Sequence, residues 1–318
     1  MKKLLWALAV MMIPLAGVAQ TWPSKPVRVV IPFPPGGPTD LLGRTVANSL
    51  GETFGQPFVV ENKAGAAGNL GVGQAARSAP DGYTFVVVPA GNIAVNPSLY
   101  PDLPYRASDL APVTMLATVE NVLVVHPDVA AKTVPELIAL ARAKPGELTF
   151  ASPGAGSQAH LAGELLQLDT GIKLIHVPYK GTAPAVQDLV GKQVTMMFAQ
   201  LQSALPFIKD GRLRAIGIAS PKRTPVLPDV PTVAEQGVPG FEAVSWYALM
   251  APAGTPQEIV GKVAREATTI LGKPANREKF AGLGMTSMGG EPEELARTIG
   301  AESTRWAEVI RKQGIKVQ

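Results

Sequence analysis

The sequence contains no cysteine. Disulfides, thiol nucleophiles and cysteine-ligated metals are excluded, so stability must come from the size of the core. Histidine is nearly absent, with His126, His160 and His176 alone. Charged residues make up only 17% of the chain, and the formal net charge is +4. Lys2 and Lys3 sit in a segment expected to be removed, which leaves 4 − 2 = +2. That small excess does not supply the concentrated basic surface of a nucleic-acid binder, so no nucleic-acid partner is expected. After residue 18 no run is long and apolar enough for a bilayer span. No Gly-Lys-Ser/Thr follows any glycine turn, and no Gly-x-Ser-x-Gly encloses Ser157. A phosphate loop and a hydrolase elbow are therefore unsupported. No paired carboxylates flank an evident cleft, and nothing calls for a cofactor.

The first residues have the layout of a secretory signal. Lys2 and Lys3 precede the apolar run Leu4–Val18, and the small residues Gly17 and Ala19 flank Val18. Cleavage after Ala19 is expected, giving a signal peptide over 1–19. A retained anchor fits less well, because the run is short and Pro14 interrupts it. About 300 residues remain, enough for two lobes or one large domain. At 46% hydrophobic, they predict a sizeable core.

Glycine and proline are plentiful, 32 and 30 in number. They gather at turns: Pro-Gly at 35–36, 145–146, 153–154 and 239–240, and Asp-Gly at 81–82 and 210–211. Between them, β-branched apolar runs alternate with helical patterns. Strands are predicted at 27–33, 58–61, 84–89, 122–126, 148–152, 174–179, 194–198, 214–219 and 245–250. Helices are predicted at 40–53, 70–78, 134–144, 157–167, 184–190, 202–209, 256–271, 274–282 and 292–313. This alternation reads as an α/β fold with parallel sheets covered on both faces. No internal repeat is evident.

Three strand–turn–helix units draw attention. In "IPFPPGGPTDLLGR" (31–44) an apolar strand enters a rigid, nearly side-chain-free turn. Gly36 and Gly37 let a ligand approach the backbone closely. The unpaired amides of a helix start, with the helix dipole, favour an anion. Pro38 has no N–H, so Gly36, Gly37 and Thr39 must supply donors, and Asp40 or Thr39 can cap the helix. "LTFASPGAGSQAHLAGELL" (148–166) repeats the logic with Gly154 and a capping Ser157. "HVPYKGTAPAVQDL" (176–189) is the third unit, its turn filled by Tyr179, Lys180, Gly181 and Thr182. In open α/β sheets ligands bind at this carboxyl edge. "ENKAGAAGNLGVG" (61–73) only loosely imitates a dinucleotide fingerprint and reads as a close-packing loop. His160 and Glu164 share a helix face, but no third metal ligand is apparent, so His160 reads as a capping or packing histidine.

The ordered blocks "WPSKPVRVVIPFPPGGPTD", "GQPFVVENKAGAAGNLG", "PDGYTF", "NPSLY", "GSQAHLAGELL", "HVPYKGTAPAVQDLVGKQV", "LPDVPTVAEQGVPGFE" and "WYALMAPAGTP" span nearly the whole mature chain. In them the sequence resembles the periplasmic solute-binding proteins of tripartite tricarboxylate transporters, the Bug family. The resemblance implies an α/β type II periplasmic binding protein: two lobes with mixed, mostly parallel sheets and an interlobe cleft. The lobes would be 20–121 with 246–318, and 122–245, with crossings near 120–126 and 244–252. It also implies a monomer in the periplasm that closes on a small carboxylate and delivers it to membrane transporter subunits.

The family's carboxylate-holding turns correspond here to Phe33–Asp40 and Ser152–Gln158. Within them the resemblance points to Phe33 as an apolar wall and to Gly36, Gly37, Thr39, Asp40, Ser152, Gly154, Ser157 and Gln158. It adds His160, Tyr179, Lys180, Gly181, Ala199 and Gln200. Pro34 stands where the family commonly has a small residue, and it stiffens the first turn. Two other classes stay open from the residues: a sensor subunit for a membrane signalling partner, and an exported hydrolase pairing Ser157 with His160.

Overall fold

The structure is a computed structural model that describes residues 22–282 and 284–316. The expected signal, 1–19, lies outside the described residues. In chain order the first elements are β1 (Val27–Ile31), α1 (Pro38–Phe54), β2 (Phe58–Asn62), α2 (Asn69–Ala76), β3 (Thr84–Pro89), α3 (Asn96–Leu99) and β4 (Leu110–Val119). Then come β5 (Asn121–Val125), α4 (Val134–Ala143), β6 (Thr149–Ser152), α5 (Gln158–Thr170), β7 (Ile175–Pro178), α6 (Thr182–Val190), β8 (Met196–Gln200), α7 (Leu201–Lys209) and β9 (Arg214–Ile218). The last are β10 (Ser245–Pro252), α8 (Gln257–Gly272), α9 (Pro274–Ala281), β11 (Met285–Ser287) and α10 (Pro292–Gln313). No described helix is long and apolar enough to cross a membrane.

Two sheets form, in the orders β11-β4-β10-β3-β1-β2 and β7-β6-β8-β5-β9. The inner strands β3, β5 and β10 are buried along almost their whole length because each sheet is covered on both faces, whereas the edge strands β2 and β7 carry exposed residues. In β1, Val29 enters the core under α1 and α8 while Val30 enters the core shared with α2. In β8, Phe198 packs toward α4 and α5, and Ala199 toward α6 and α7. This alternation is the period-two geometry of a strand.

The sheets are mixed but not mostly parallel. Parallel ladders join β2-β1-β3 and β7-β6-β8, where helices make the crossovers. The ladders made by β10 and by β5 are antiparallel. These are the strands on which the chain passes between sheets, at Glu120 and again between Ile218 and Ser245. A chain that leaves one sheet directly into the next has no helical crossover to restore direction. β4 was absent from the predicted strands. Pro112 argues against a central strand, yet Pro112 pairs with Met250 beside a register shift that accommodates it.

Local chemistry sets the helix ends. α1 begins with Gly37 at the N-cap and Pro38 in the first turn, not with a capping Thr39 or Asp40. The fixed φ of proline suits that position, and its missing N–H is not needed there. Gly55 ends α1 in the left-handed conformation at φ 69°, its N–H donating to the Gly51 carbonyl. Ser157 caps α5, its hydroxyl oxygen accepting the His160 N–H.

The C-terminal helix α10 does not belong to one sheet. Leu295, near its start, packs with Trp246 and Met250 of β10. Trp306, Val309 and Ile310, near its end, join the core of the second sheet with Leu123 and Phe150. α10 therefore straps the two lobes together.

Candidate functional site

In the first sheet β1, β2 and β3 run parallel, so Ile31, Asn62 and Pro89 end at one edge. In the second, β6, β7 and β8 place Ser152, Pro178 and Gln200 at one edge. The two edges approach each other. Tyr100 Oη donates to the Ala155 carbonyl at 3.4 Å, and Gly156 lies against Leu99 and Asn96. Gly91 lies against the Gly156 carbonyl. The Phe33 ring rests on Gly68 and beside Asn92, which carries the first turn toward the same region.

The first turn is braced from behind. The Asp40 carboxylate, 5% exposed, accepts the Gly36 N–H at 3.1 Å, the Asn62 amide at 2.9 Å and Arg44 Nε at 2.9 Å. Asn62 also donates to the Phe33 carbonyl, and Arg44 donates to Asn62. Burial alone raises the Asp40 pKa, but the bonds from Arg44, Asn62 and Gly36 outweigh it and the net shift is downward. Gly36, at φ 89°, needs glycine's freedom to make this bond. Its amide is therefore engaged and is not among the free donors. Those are Gly37, Thr39 and Asp40, whose N–H groups find no acceptor among the described residues. Phe33 is half-buried, and a Cβ at Gly37 would meet nothing within 4 Å.

The second turn is braced in a similar way. Gly154 N–H donates to Ser152 Oγ at 3.1 Å, and Gly156 N–H to His160 Nδ1 at 3.1 Å. Ser152 is fully buried, with Oγ 2.6 Å from His176 Nε2. Burial, with the neighbouring His160, pushes the His176 pKa down to about 3. Ala155, Gln158 and Ala159 keep N–H groups without a protein acceptor among the described residues. Gln158 Nε2 donates to the Val244 carbonyl at 3.3 Å, while its Oε1 is buried and unpartnered.

The third turn hangs on the second, since Tyr179 N–H donates to the Ser152 carbonyl and Gly181 N–H to that of Pro153. The Tyr179 hydroxyl donates to Asp188 at 2.8 Å, and Lys180 is exposed. The Ala199 methyl is in the core beside α6 and α7, so only its backbone is available at the edge. Next to it, Gln200 Nε2 donates to the Tyr247 hydroxyl at 2.8 Å and ties β8 to β10 across the sheets.

Ser157 and His160 do not form the pair a hydrolase needs. The Ser157 hydroxyl oxygen accepts a backbone N–H, and the ring nitrogens of His160 face Gly156 and Glu164. No group of three His, Cys, Asp or Glu suited to a metal occurs among the described residues.

With this geometry in hand, comparison with known proteins is direct. Residues 42–315 match the family described as tripartite tricarboxylate transporter family receptor. The chain belongs to that family. This receptor is 42% identical over 302 residues to Protein BugT of Bordetella pertussis strain Tohama I, covering 94% of this chain and 93% of BugT. A protein of R. palustris solved with adipate superposes with a TM-score of 0.85 at 37% identity, over 93% of this chain and 99% of that one. MatC of Rhodopseudomonas palustris, solved with bound malate, gives a TM-score of 0.81 at 34% identity, over 91% of this chain and all of that one. The fold is thus the two-lobed α/β fold of these binding proteins.

Several residues that shape the candidate site were not anticipated. Asn62 and Arg44 act behind the first turn. Asn69, Asn92, Asn96 and Tyr105 form a buried network in which Asn69 Oδ1 accepts three bonds. It underlies the loop 65–68, where Ala66 and Ala67 hold positive φ beside Phe33. The available signal was position: Asn62 ends a strand on the same edge as Phe33, and buried asparagines require partners.

Proposed function

We propose that this chain is an exported periplasmic receptor that captures a small organic carboxylate between its lobes and presents it to membrane transporter subunits, acting as a monomer. The observation that carries the reading is the pair of helix starts with free amides on facing sheet edges. Gly37, Thr39 and Asp40 offer N–H groups from one lobe, and Ala155, Gln158 and Ala159 from the other. The Ser157 hydroxyl and the Phe33 ring complete the lining. Tyr179, Lys180 and Gly181 form the rim of the second lobe. Family membership and the adipate and malate of the two solved relatives support the same chemistry.

Magnitudes favour use of both lobes. A charge-assisted hydrogen bond contributes about 1.5–3 kcal/mol, and a helix start adds roughly 0.3–1 kcal/mol. A micromolar complex needs about 8 kcal/mol net of ordering costs. One turn supplies too little, so the carboxylate binds best when both turns reach it, and binding shifts the hinge toward closure.

A thermal-shift panel of dicarboxylates, aromatic acids and acidic amino acids tests the reading, with stabilisation by at least one compound as the expected result. Mass spectrometry of the recovered compound should return it unchanged. A panel without any stabilising acid, or a chemically altered product, overturns the proposal.

A further inference from the structure

Behind the second turn stands a pair of imidazoles that ligand contact does not explain. His160 and His176 lie ring on ring, with centroids 3.8 Å apart and planes 16° apart. Phe150 lies beside the pair, 4.9 Å from His176 and 6.1 Å from His160, with its ring nearly parallel to both. His160 is 4% exposed. Its Nδ1 accepts the Gly156 N–H at 3.1 Å, which assigns the proton of the neutral ring to Nε2, 3.5 Å from Glu164 Oε1. His176 Nε2 meets Ser152 Oγ at 2.6 Å, and that oxygen accepts the Gly154 N–H.

The turn alternates as a result. Gly154 and Gly156, both at positive φ, direct their amides back toward the imidazoles. The amide of Ala155 between them, and those of Gln158 and Ala159, find no protein acceptor among the described residues. We propose that His160 and His176 are positioning residues for the carboxylate turn: by holding the Gly156 amide directly and the Gly154 amide through Ser152, they leave the Ala155 and helix-start amides aimed at the ligand. The inference rests on the reading of this turn as the carboxylate site.

The choice of residue follows from charge. A group that fixes a buried amide from behind must accept a hydrogen bond. In the first turn a carboxylate does this work, but Asp40 has Arg44 at 2.9 Å to offset its charge; an unpaired carboxylate behind the second turn would repel the anion in front. A neutral imidazole accepts without charge, and its stacked plane fixes the direction of the lone pair.

Two substitutions separate acceptor from ring. His160→Phe keeps the stack and loses the acceptor. His160→Asn loses the stack and keeps an oxygen near the Nδ1 position. In the protein without added ligand, NMR hydrogen exchange at the Gly156 amide should be slow in the wild type and in H160N. It should be at least tenfold faster in H160F. The wild-type 15N spectrum, which needs no variant, should show His160 Nδ1 unprotonated. With malate and adipate as probes, whichever binds the wild type should bind H160F at least tenfold more weakly, with most of the loss restored in H160N. Unchanged exchange in H160F, a protonated Nδ1, or faster exchange with wild-type affinity each overturns the inference. Should no acid of the panel bind the wild type, the carboxylate reading falls, while exchange and 15N data still decide what holds the Gly156 amide.

Discussion

Gly37 shows how a single position separates folding from binding. Its backbone is extended, at φ −82° and ψ 173°, which any residue adopts. A Cβ there meets nothing within 4 Å, so Gly37→Val leaves packing intact. The added isopropyl group enters the space in front of the free amides. The expected outcome is a melting temperature close to wild type and at least a tenfold loss of affinity for whichever acid of the panel binds. Unaltered affinity by calorimetry would falsify the placement of the ligand at this turn. The turn at Gly37 was legible in "PPGGPTD", because glycine and proline announce a strand end followed by a helix start. The roles of Asp40 and Gly36 were not. Whether a carboxylate faces a ligand or turns back to Arg44 and Asn62 depends on a strand eighteen residues away in sequence from Arg44.

His176 carries a pH prediction at the same scale. Its pKa falls from an ordinary 6.5 to about 3 in the folded protein, through burial and then the adjacent His160. The unfolded chain therefore binds a proton below pH 6.5 that the folded chain refuses. The sign is that of any lowered pKa: the stability is fully present above 6.5 and is lost as pH falls from 6.5 toward 3. The slope from this one group cannot exceed about 1.4 kcal/mol per pH unit. His176→Phe should flatten the urea midpoint against pH between 6 and 4, provided His160 and Glu164 are otherwise unaltered. A profile parallel to the wild type would show that His176 is not the group responsible.

Among elements, α1 and α5 share a device. Each follows a strand, each starts at a glycine-rich turn, and each has glycine at its sixth residue, Gly43 and Gly163. A Cβ on Gly43 would intrude on Ile31 of β1, and one on Gly163 on the Phe150 ring of β6. The helix thus presses onto the strand that precedes it, which fixes its free amides at the sheet edge. Helix propensity alone predicts that Gly→Ala stabilises by about 0.8–1 kcal/mol. Overpacking predicts a cost of about 1–3 kcal/mol. At Gly163 the added Cβ would meet three atoms of the rigid, fully buried Phe150 ring, so overpacking wins there. Gly163→Ala should lower the urea midpoint, and a raised midpoint would sink the close-approach argument. The parallel strands and their helices were legible because hydrophobic runs and turn residues alternate. β4 was hidden by Pro112, and β11 by being three residues long. The stretch from Gly91 to Leu99, which meets Gly156, carries neither a strand period nor a clear cap.

For the whole molecule, the decisive element is the strap α10. Its two ends belong to the cores of different lobes, and Arg305 also donates to the Glu242 carbonyl at 2.6 Å, on the returning connection. A helix fixed at both ends would limit how far the lobes separate on its side and direct any opening to the other side. Helix periodicity revealed α10 in the sequence, but not that its last turns leave the first lobe, since the apolar face looks alike whichever core it meets. Trp306 is the anchor, fully buried beside Val309 and Ile310. Trp306→Ala removes that anchor at a cost of about 3–5 kcal/mol. If α10 restrains the hinge, the loss has a second consequence beyond stability. The open population grows, and a receptor that must close on its ligand binds more weakly by the fraction of closed-competent molecules lost. Small-angle scattering of the free variant, kept below its unfolding transition, should give a larger radius of gyration than the wild type. Affinity for a wild-type ligand should fall even though Trp306 belongs to neither turn of the site. A variant that is less stable yet identical in scattering and affinity would show that α10 supports the lobes without governing their separation.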